Sequence, residues 1–237
     1  MSGKSTMSRR DFLLLAGGTI CAAVLPCNMV AASDGRKSAV KFIESMCGKD
    51  GEIQRRILIA YASRCGSTGE VADGIGQTLC ETGVSTEVRL VGKVRDLSPY
   101  QSVILGSAVR AGKWLPEAAD FVKKHQDTLC RIPVAYFVVC MTMRDDTIEN
   151  RRRALTFLDP LYKLAPRVKP RDIGLFAGAT DFNKLSFVHR SILKAKGIPE
   201  GDFRNWEAIR TWAVNVQPVL LSEAGEESGN RDWMQLL

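Results

Sequence analysis

The segment between Tyr61 and Glu70 contains the residues of this 237-residue sequence that are best suited to bind a phosphate group. Three hydroxyl side chains, Ser63, Ser67 and Thr68, occur there together with two glycines, directly after an apolar run and before a helical pattern. Free backbone N–H groups and the positive end of a helix dipole make such a turn attractive to anions. The hydroxyls add uncharged donors, so the sequence predicts a phosphate site.

A helix cap is the structural alternative for the same segment. Ser67 or Thr68 could cap the helix, and Glu70 could complete a capping box. A cap uses one hydroxyl, whereas this turn offers several, which favours the phosphate interpretation. The turn matches neither the G-x-G-x-x-G fingerprint nor the P-loop, because no Gly-Lys-Ser/Thr follows.

Alternating apolar runs and helical patterns give the elements that must position this turn. The sequence predicts strands at 57–61, 84–90, 102–106, 133–139 and 173–177. It predicts helices at 38–47 (capped by Gly48), 67–82, 116–129, 185–196 and 205–216. A continuous apolar run such as the first strand is typical of a strand that is covered on both faces.

The alternation of strands and helices predicts an α/β fold with a doubly wound parallel sheet. Ligands of such sheets bind at the carboxyl ends of the strands, where the turn at 63–68 would lie. The predicted organisation is a leader at 1–32, a polar linker at 33–55, one domain at 56–217 and a polar tail at 218–237.

Five segments together resemble the quinone-dependent protoporphyrinogen dehydrogenase branch of the flavodoxin superfamily. They occur in consistent order over residues 56–216 and are Ser63–Thr68, Ile104–Trp114, Phe121–His125, Phe176–Ala179 and Asn205–Ile209. The first resembles the flavodoxin loop that binds the phosphate of FMN. The Gly-Ser-x-x-Arg-x-Gly run at 106–112 is the most specific of them.

The resemblance implies a five-stranded sheet of order 2-1-3-4-5 and FMN bound noncovalently. It implies that the phosphate is held by Ser63, Arg64, Cys65, Gly66, Ser67 and Thr68. One loop against the isoalloxazine would contain Ser107, Ala108, Val109, Arg110 and Gly112, and the other Cys140, Met141, Thr142 and Met143.

Arg110 is the candidate catalytic residue. A flavin accepts a hydride at N5 and develops negative charge near N1 and O2, which a nearby cation stabilises. The alternative for Arg110 is a solvated loop charge. Lys113 and Trp114 could flank a planar substrate, although Trp114 fits equally well as a core residue.

Two functions are compatible with these features. The first is an FMN-dependent oxidoreductase that passes electrons from a reduced substrate, protoporphyrinogen IX being the implied one, to a quinone. The second is an exported flavodoxin-like electron carrier that serves partner redox proteins. The long basic insertion Met143–Arg171 favours a surface for substrate or membrane, whereas carriers commonly present an acidic docking face.

Positive charge belongs to the predicted domain as well as to the leader. The formal net charge is +7, and leaving out residues 1–32, with three basic residues and one acidic, lowers it to +5. The predicted helix at 185–196 is basic and amphipathic, so it could rest on a membrane surface or be an ordinary domain helix with a charged outer face. Nucleic acid is not expected as a partner, because no matching motif is present.

The first 32 residues are predicted to be a targeting segment. Arg9-Arg10 precedes a short apolar run that ends at Pro26, which is typical of a twin-arginine export signal. A Sec-type n-region is the alternative. Cleavage after Ala32 would release the protein into the cell envelope or periplasm, whereas an uncleaved leader would anchor it to the membrane.

The cysteines and histidines give no pattern typical of a metal site. Two of the seven cysteines lie in the leader, no C-x-x-C pair occurs, and the chain has two histidines. No metal is therefore expected. A chain of this size does not need a disulfide framework, so most of the other five are predicted to be small buried side chains, namely Cys47, Cys65, Cys80, Cys130 and Cys140.

Overall fold

The computed structural model describes residues 40–48, 56–184, 187–195 and 197–222. The predicted leader at 1–32 and its export signal lie outside the described residues, as do residues 33–39 and 49–55 of the predicted linker and residues 223–237 of the predicted tail.

Nine strands and six α-helices make up the described chain. The strands are β1 (Ser45–Cys47), β2 (Arg56–Ala62), β3 (Thr86–Leu90), β4 (Tyr100–Arg110), β5 (Lys113–Trp114), β6 (Val134–Val139), β7 (Asp172–Phe176), β8 (Ala179–Thr180) and β9 (Gly201–Asp202). The helices are α1 (Ser67–Glu81), α2 (Pro116–Leu129), α3 (Ile148–Thr156), α4 (Asp159–Leu164), α5 (Phe187–Ala195) and α6 (Trp206–Leu221).

Five parallel strands form the centre in the order β3-β2-β4-β6-β7. Numbered among themselves they have the predicted order 2-1-3-4-5, so the predicted fold is confirmed. Their apolar runs are buried on both faces, because α1 and α6 pack on one side of the sheet and α2, α3 and α4 on the other. Helices α3 and α4 form the insertion between β6 and β7.

The predicted helix at 38–47 is wrong over its described part. Residues 40–44 have no regular structure, and β1 pairs antiparallel with β3, placing Ser45 opposite Val88. Without β1, the outer edge of β3 would have unpaired N–H and C=O groups, which a strand can satisfy and a helix cannot. Within the predicted linker, Ser45–Cys47 therefore belong to the sheet.

The prediction for the cysteines is also wrong. Cys47 and Cys80 form a disulfide, with their Cα atoms 6.1 Å apart, that joins β1 to the last turn of α1. Of the three free cysteines among the described residues, only Cys140 is buried, while Cys65 and Cys130 are partly exposed. The two cysteines of the disulfide, 33 residues apart in sequence, meet because β1 pairs with the edge of the sheet beside α1. The spacing of the cysteines in the sequence did not reveal this pairing.

The last helix is longer than predicted. The last helix was expected to end near Val216, yet α6 continues to Leu221 with Pro218 inside it. The Arg171 guanidinium donates to the carbonyl oxygens of Val219 and Ser222 at 2.8 and 3.2 Å, which stabilises this extra turn. In the described ranges, no helix is both long and apolar enough to cross a membrane.

Candidate functional site

The carboxyl ends of four neighbouring strands bring the predicted loops to one edge of the sheet. Ala62 at the end of β2 pairs with Ser107 of β4, and Val139 at the end of β6 pairs with Ala108 and Phe176. The three loops expected from the sequence therefore begin side by side. This is the switch point at which doubly wound sheets bind ligands.

The turn after β2 leads into α1 through a left-handed residue. Gly66 has φ +93° and occupies the cap position of α1, a conformation that residues with a Cβ rarely adopt. Its N–H donates to Ser63 Oγ at 3.0 Å, and its carbonyl accepts from the N–H groups of Gly69 and Glu70. The turn is thus held by its own backbone and by one of its hydroxyls.

The capping alternative is wrong. The helix begins at Ser67 itself, and no side chain caps it in the described structure. Glu70 forms no capping box and instead pairs with the Arg204 guanidinium, which also bonds Asp202 and lies over the Trp206 ring.

Donors at the first turn of α1 are left for a ligand. Among the residues that the structure describes, the N–H groups of Ser67 and Thr68 donate to no backbone acceptor. Thr68 is fully buried, and its Oγ1 has no hydrogen-bond partner there. A phosphate at this turn would accept from these groups, so the geometry fits the phosphate interpretation.

Arg64 and Cys65 sit in the same turn with different surroundings. The Arg64 guanidinium pairs with Glu117 of α2 at 2.6 Å, and both side chains are about half exposed. Burial raises the pKa of the Cys65 thiol, and the charges of Lys184 and Arg110 oppose that rise. The thiol is therefore a neutral neighbour of two cations.

The loop after β4 is a tight hairpin. β5 pairs antiparallel with the end of β4, and the connection is Ala111-Gly112, with φ +51° and +74°. The buried Ser107 hydroxyl donates to Ala108 O and accepts from the Leu115 N–H. Ser107 thus stabilises the hairpin, while Val109, Arg110 and Gly112 extend beyond the edge.

Trp114 packs in the hydrophobic core. Its side chain is buried, with its ring 5.2 Å from the Tyr136 ring in an edge-on arrangement. The core interpretation of this residue is confirmed.

The loop after β6 is a short 3-10 turn from Met141 to Arg144. Cys140 begins it in extended conformation, and its N–H donates to Phe176 O at 3.0 Å. Burial raises the pKa of the Cys140 thiol, so this side chain is a neutral packing group. Met143 is buried, whereas Met141 and Thr142 are partly exposed.

A fourth loop at this edge was not among the predicted site residues. A Cβ on Gly178, just after β7, would lie 3.6 Å from Ser67 Oγ, so this backbone approaches the phosphate turn. Thr180 Oγ1 donates to Met141 Sδ at 3.5 Å. The glycine directly after a buried strand, in the quoted run Phe176–Ala179, was the signal that could have identified this loop.

Comparison with known proteins gives a family and distant relatives. The flavodoxin domain family matches residues 58–198. Protoporphyrinogen IX dehydrogenase (quinone) of Leishmania major is 26% identical over 179 residues, covering 70% of this chain and 77% of that protein. The protein of the same name from Escherichia coli K12 is 25% identical over 173 residues, covering 68% of this chain and 94% of that protein.

Solved structures of similar fold include two bacterial flavodoxins. Oxidised flavodoxin 2 of Bacillus cereus has a TM-score of 0.44 and 22% identity, covering 69% of this chain and 98% of that protein. Fusobacterium nucleatum flavodoxin bound to flavin mononucleotide has a TM-score of 0.41 and 13% identity, covering 70% of this chain and 99% of that protein.

Proposed function

This chain belongs to the flavodoxin domain family, and on that premise we propose that it is an FMN-dependent oxidoreductase that passes electrons from a reduced substrate to a quinone. The observation that carries the proposal is the first turn of α1. Its N–H groups at Ser67 and Thr68, together with the Thr68 hydroxyl, which has no hydrogen-bond partner among the described residues, form a site that fits the phosphate of FMN.

The residues of the edge have distinct roles in this proposal. Ser67 and Thr68 hold the phosphate, and the left-handed Gly66 allows the backbone to turn around it. When bound, FMN supplies a ring that accepts a hydride at N5 and develops negative charge near N1 and O2. Arg110, at the end of β4, is the proposed cation that stabilises this charge, and Cys140 to Met143 form the opposite wall.

We propose protoporphyrinogen IX as the reduced substrate and a quinone as the acceptor. Support comes from the names of the two relatives above. It also comes from the basic insertion that leads away from the third loop, where Arg152 and Arg153 of α3 are exposed. Exposed guanidinium groups suit a substrate that carries carboxylates.

We propose export by the twin-arginine route, which places the reaction in the cell envelope or periplasm. The Cys47–Cys80 disulfide supports this location, because disulfides persist in oxidising compartments. A contact with the membrane surface is proposed for α5, on which Phe187 is 81% exposed and Lys194 is exposed too.

Anaerobic mixing tests the proposed reaction. The full-length protein loaded with FMN is mixed with protoporphyrinogen, and bleaching of the flavin absorbance is followed. Reoxidation by menaquinone or by ubiquinone then identifies the acceptor. We expect bleaching by the porphyrinogen and recovery with at least one quinone.

Two other outcomes would redirect the proposal. No bleaching by porphyrinogen, with FMN still bound, would remove this substrate and favour the flavodoxin-like carrier, whose electrons come from a partner protein. A protein that binds no FMN would remove both functions.

A further inference from the structure

Residues 40–47 form a strap that connects the two ends of α1. At one end the strap packs against the phosphate turn, since a Cβ on Gly66 would lie 3.4 Å from Val40 Cγ1. At the other end the disulfide joins Cys47 to Cys80, in the last turn of the helix. The phosphate turn and the disulfide therefore lie at opposite ends of one segment.

Two hydrogen bonds hold the strap between its ends. The Ile43 carbonyl accepts from the Tyr61 hydroxyl at 2.8 Å. The Ser45 hydroxyl donates to the Asp73 carboxylate, in the middle of α1, at 2.6 Å. The strap is thus attached to the end of β2 as well as to the helix.

The strap has little slack along α1. From Gly66 to Cys80 the helix is about 21 Å long, at a rise of roughly 1.5 Å per residue. The chain from Val40 to Cys47 reaches about 23 Å when it is fully extended. A strap fixed at Cys47 therefore arrives at the phosphate turn almost fully extended, so the disulfide limits how far Val40 can move from Gly66.

The Tyr61 side chain connects the strap to the first turn of α1. This side chain is fully buried, and a Cβ on Gly69 would lie 2.8 Å from its hydroxyl oxygen, so the two are in close contact. The Gly69 N–H donates to Gly66 O at 2.8 Å. One tyrosine therefore contacts both the strap, through Ile43, and the turn in which the phosphate donors lie.

We infer that the strap is a positioning segment for the phosphate turn, and that the Cys47–Cys80 disulfide makes the protein bind FMN more tightly than it does with both cysteines reduced. The inference rests on the proposed function, because it assumes FMN at the first turn of α1. The strap acts through Gly66 and Tyr61 and needs no contact with the flavin. A loop that is already held in its bound conformation loses less entropy when the ligand binds.

Thiol–disulfide exchange with a dithiol releases the anchor of the strap. Each sulfur of the Cys47–Cys80 bond gains one electron and one proton and becomes a thiol, while dithiothreitol is oxidised to its cyclic disulfide. Both cysteines are partly exposed. After reduction only the noncovalent contacts of the strap remain.

Flavin titrations test the inference. Full-length protein freed of flavin is titrated with FMN, and separately with riboflavin, which has no phosphate. Oxidised protein is compared with protein reduced by dithiothreitol, which is removed anaerobically before the titration, and quenching of flavin fluorescence gives the Kd. We expect reduction to raise the Kd for FMN about fivefold and to leave the Kd for riboflavin unchanged. Replacing Cys47 and Cys80 by Ser should give the reduced values with or without dithiothreitol.

Tyr61→Phe tests the strap without touching the disulfide. The variant loses the hydrogen bond to Ile43 O and keeps the aromatic ring beside Gly69. We expect it to raise the Kd for FMN in the oxidised protein. Reduction should then add less than it does in the unaltered protein, because both changes act through the same strap.

Leu129→Ala is the matched control for a general loss of stability. Leu129 is buried at the end of α2, on the opposite face of the sheet from α1. Its truncation should lower the free energy of unfolding in urea. The Kd for FMN and its response to dithiothreitol should stay unchanged.

Several results would overturn the inference. An equal Kd for FMN in oxidised and reduced protein would overturn it alone. Equal weakening of FMN and riboflavin on reduction, or the same weakening of FMN in Leu129→Ala, would overturn it in favour of general loosening of the fold. If the unaltered protein binds no FMN in either redox state, the proposed function fails as well, which distinguishes the two failures.

Discussion

Thr68 carries a buried hydroxyl that meets no protein acceptor in the described chain. An unsatisfied buried polar group costs roughly 1–3 kcal/mol, so its presence in a fold needs a reason. A phosphate oxygen at the first turn of α1 supplies that reason, since it would accept the Thr68 hydroxyl together with nearby N–H groups. The residue therefore links the local geometry to the proposed cofactor.

Replacing Ser67 by Ala and Thr68 by Val is expected to weaken FMN binding at least about 100-fold. Two donors to a charged phosphate are lost, each worth roughly 1.5–3 kcal/mol. Fluorescence titration with FMN measures the change. Thr78→Val is the control, because the Thr78 hydroxyl bonds Gly74 O within the same helix, away from the turn. Unchanged FMN affinity in the double variant would refute the phosphate assignment.

From the surroundings of the Tyr61 hydroxyl we expect the folded protein to lose stability at high pH. The hydroxyl donates to Ile43 O at 2.8 Å, and burial raises its pKa to about 12 from 10.0. A group whose pKa is higher in the folded than in the unfolded protein stabilises the folded state at every pH below its pKa in the unfolded chain. That stabilisation is lost as the pH rises through about 10 to about 12. Tyr61→Phe should lower the free energy of unfolding at pH 8 by about 1 kcal/mol and flatten the alkaline decline.

Urea unfolding between pH 8 and pH 12 measures both effects. Tyr162→Phe is the control: burial raises its pKa to about 12 as well, and no hydrogen bond of its hydroxyl is seen among the described residues. It should flatten the decline without the loss at pH 8. The same alkaline slope in Tyr61→Phe and the unaltered protein would contradict the role given to Tyr61.

At the residue scale the sequence identified the loops better than the direction of their side chains. The turn at 63–68 and the loops after β4 and β6 all lie at the predicted edge. Ser107, however, directs its hydroxyl to Ala108 O and the Leu115 N–H. That geometry depends on the hairpin formed at Ala111-Gly112, whose pairing a linear pattern does not reveal.

At the element scale, the buried central strands were predictable and the edge was not. Apolar runs such as Val134–Val139 mark strands that are covered on both faces, and their alternation with helices predicts a parallel sheet, whereas the strand order was implied by the family resemblance. β1 has three residues and no buried face, so it has no apolar signature. It forms because β3 offers an open edge, which is a non-local cause.

The disulfide at this edge gives a prediction for stability. Replacing both Cys47 and Cys80 by Ser is expected to lower the free energy of unfolding by about 3–4 kcal/mol, because the unfolded chain is no longer constrained. Urea unfolding with and without reductant measures this. Reductant should destabilise the unaltered protein and leave the double variant unchanged.

Cys130→Ser is the control for the disulfide. Cys130 is a free cysteine directly after α2, outside the segment that the disulfide closes. This variant should keep the full sensitivity to reductant. Equal stability of the double variant and the unaltered protein would contradict a structural disulfide.

At the scale of the whole molecule, the leader and the domain give separate predictions. The phosphate turn begins at Ser63, well after Arg9-Arg10 in the sequence, so FMN binding should not depend on the proposed export signal. Twin-arginine transport carries folded proteins, which agrees with a cofactor bound before export.

Replacing Arg9 and Arg10 by Lys is expected to leave the protein in the cytoplasm with FMN bound. Cell fractionation, flavin absorbance and N-terminal sequencing measure the outcome. The unaltered protein should begin near Ser33 in a soluble envelope fraction, whereas an uncleaved leader would keep it full-length on the membrane. An unaltered protein that is full-length and cytosolic would contradict the export proposal.

The bond between Cys47 and Cys80 also has a topological consequence. It closes a covalent ring between cysteines 33 residues apart in sequence. The ring contains β2, the phosphate turn and nearly all of α1. A single proteolytic cut inside this ring leaves the two fragments joined, so the nicked chain keeps its full mass on a gel without reductant. A backbone cut near the proposed phosphate site would therefore leave the two sides of that site covalently linked through the disulfide.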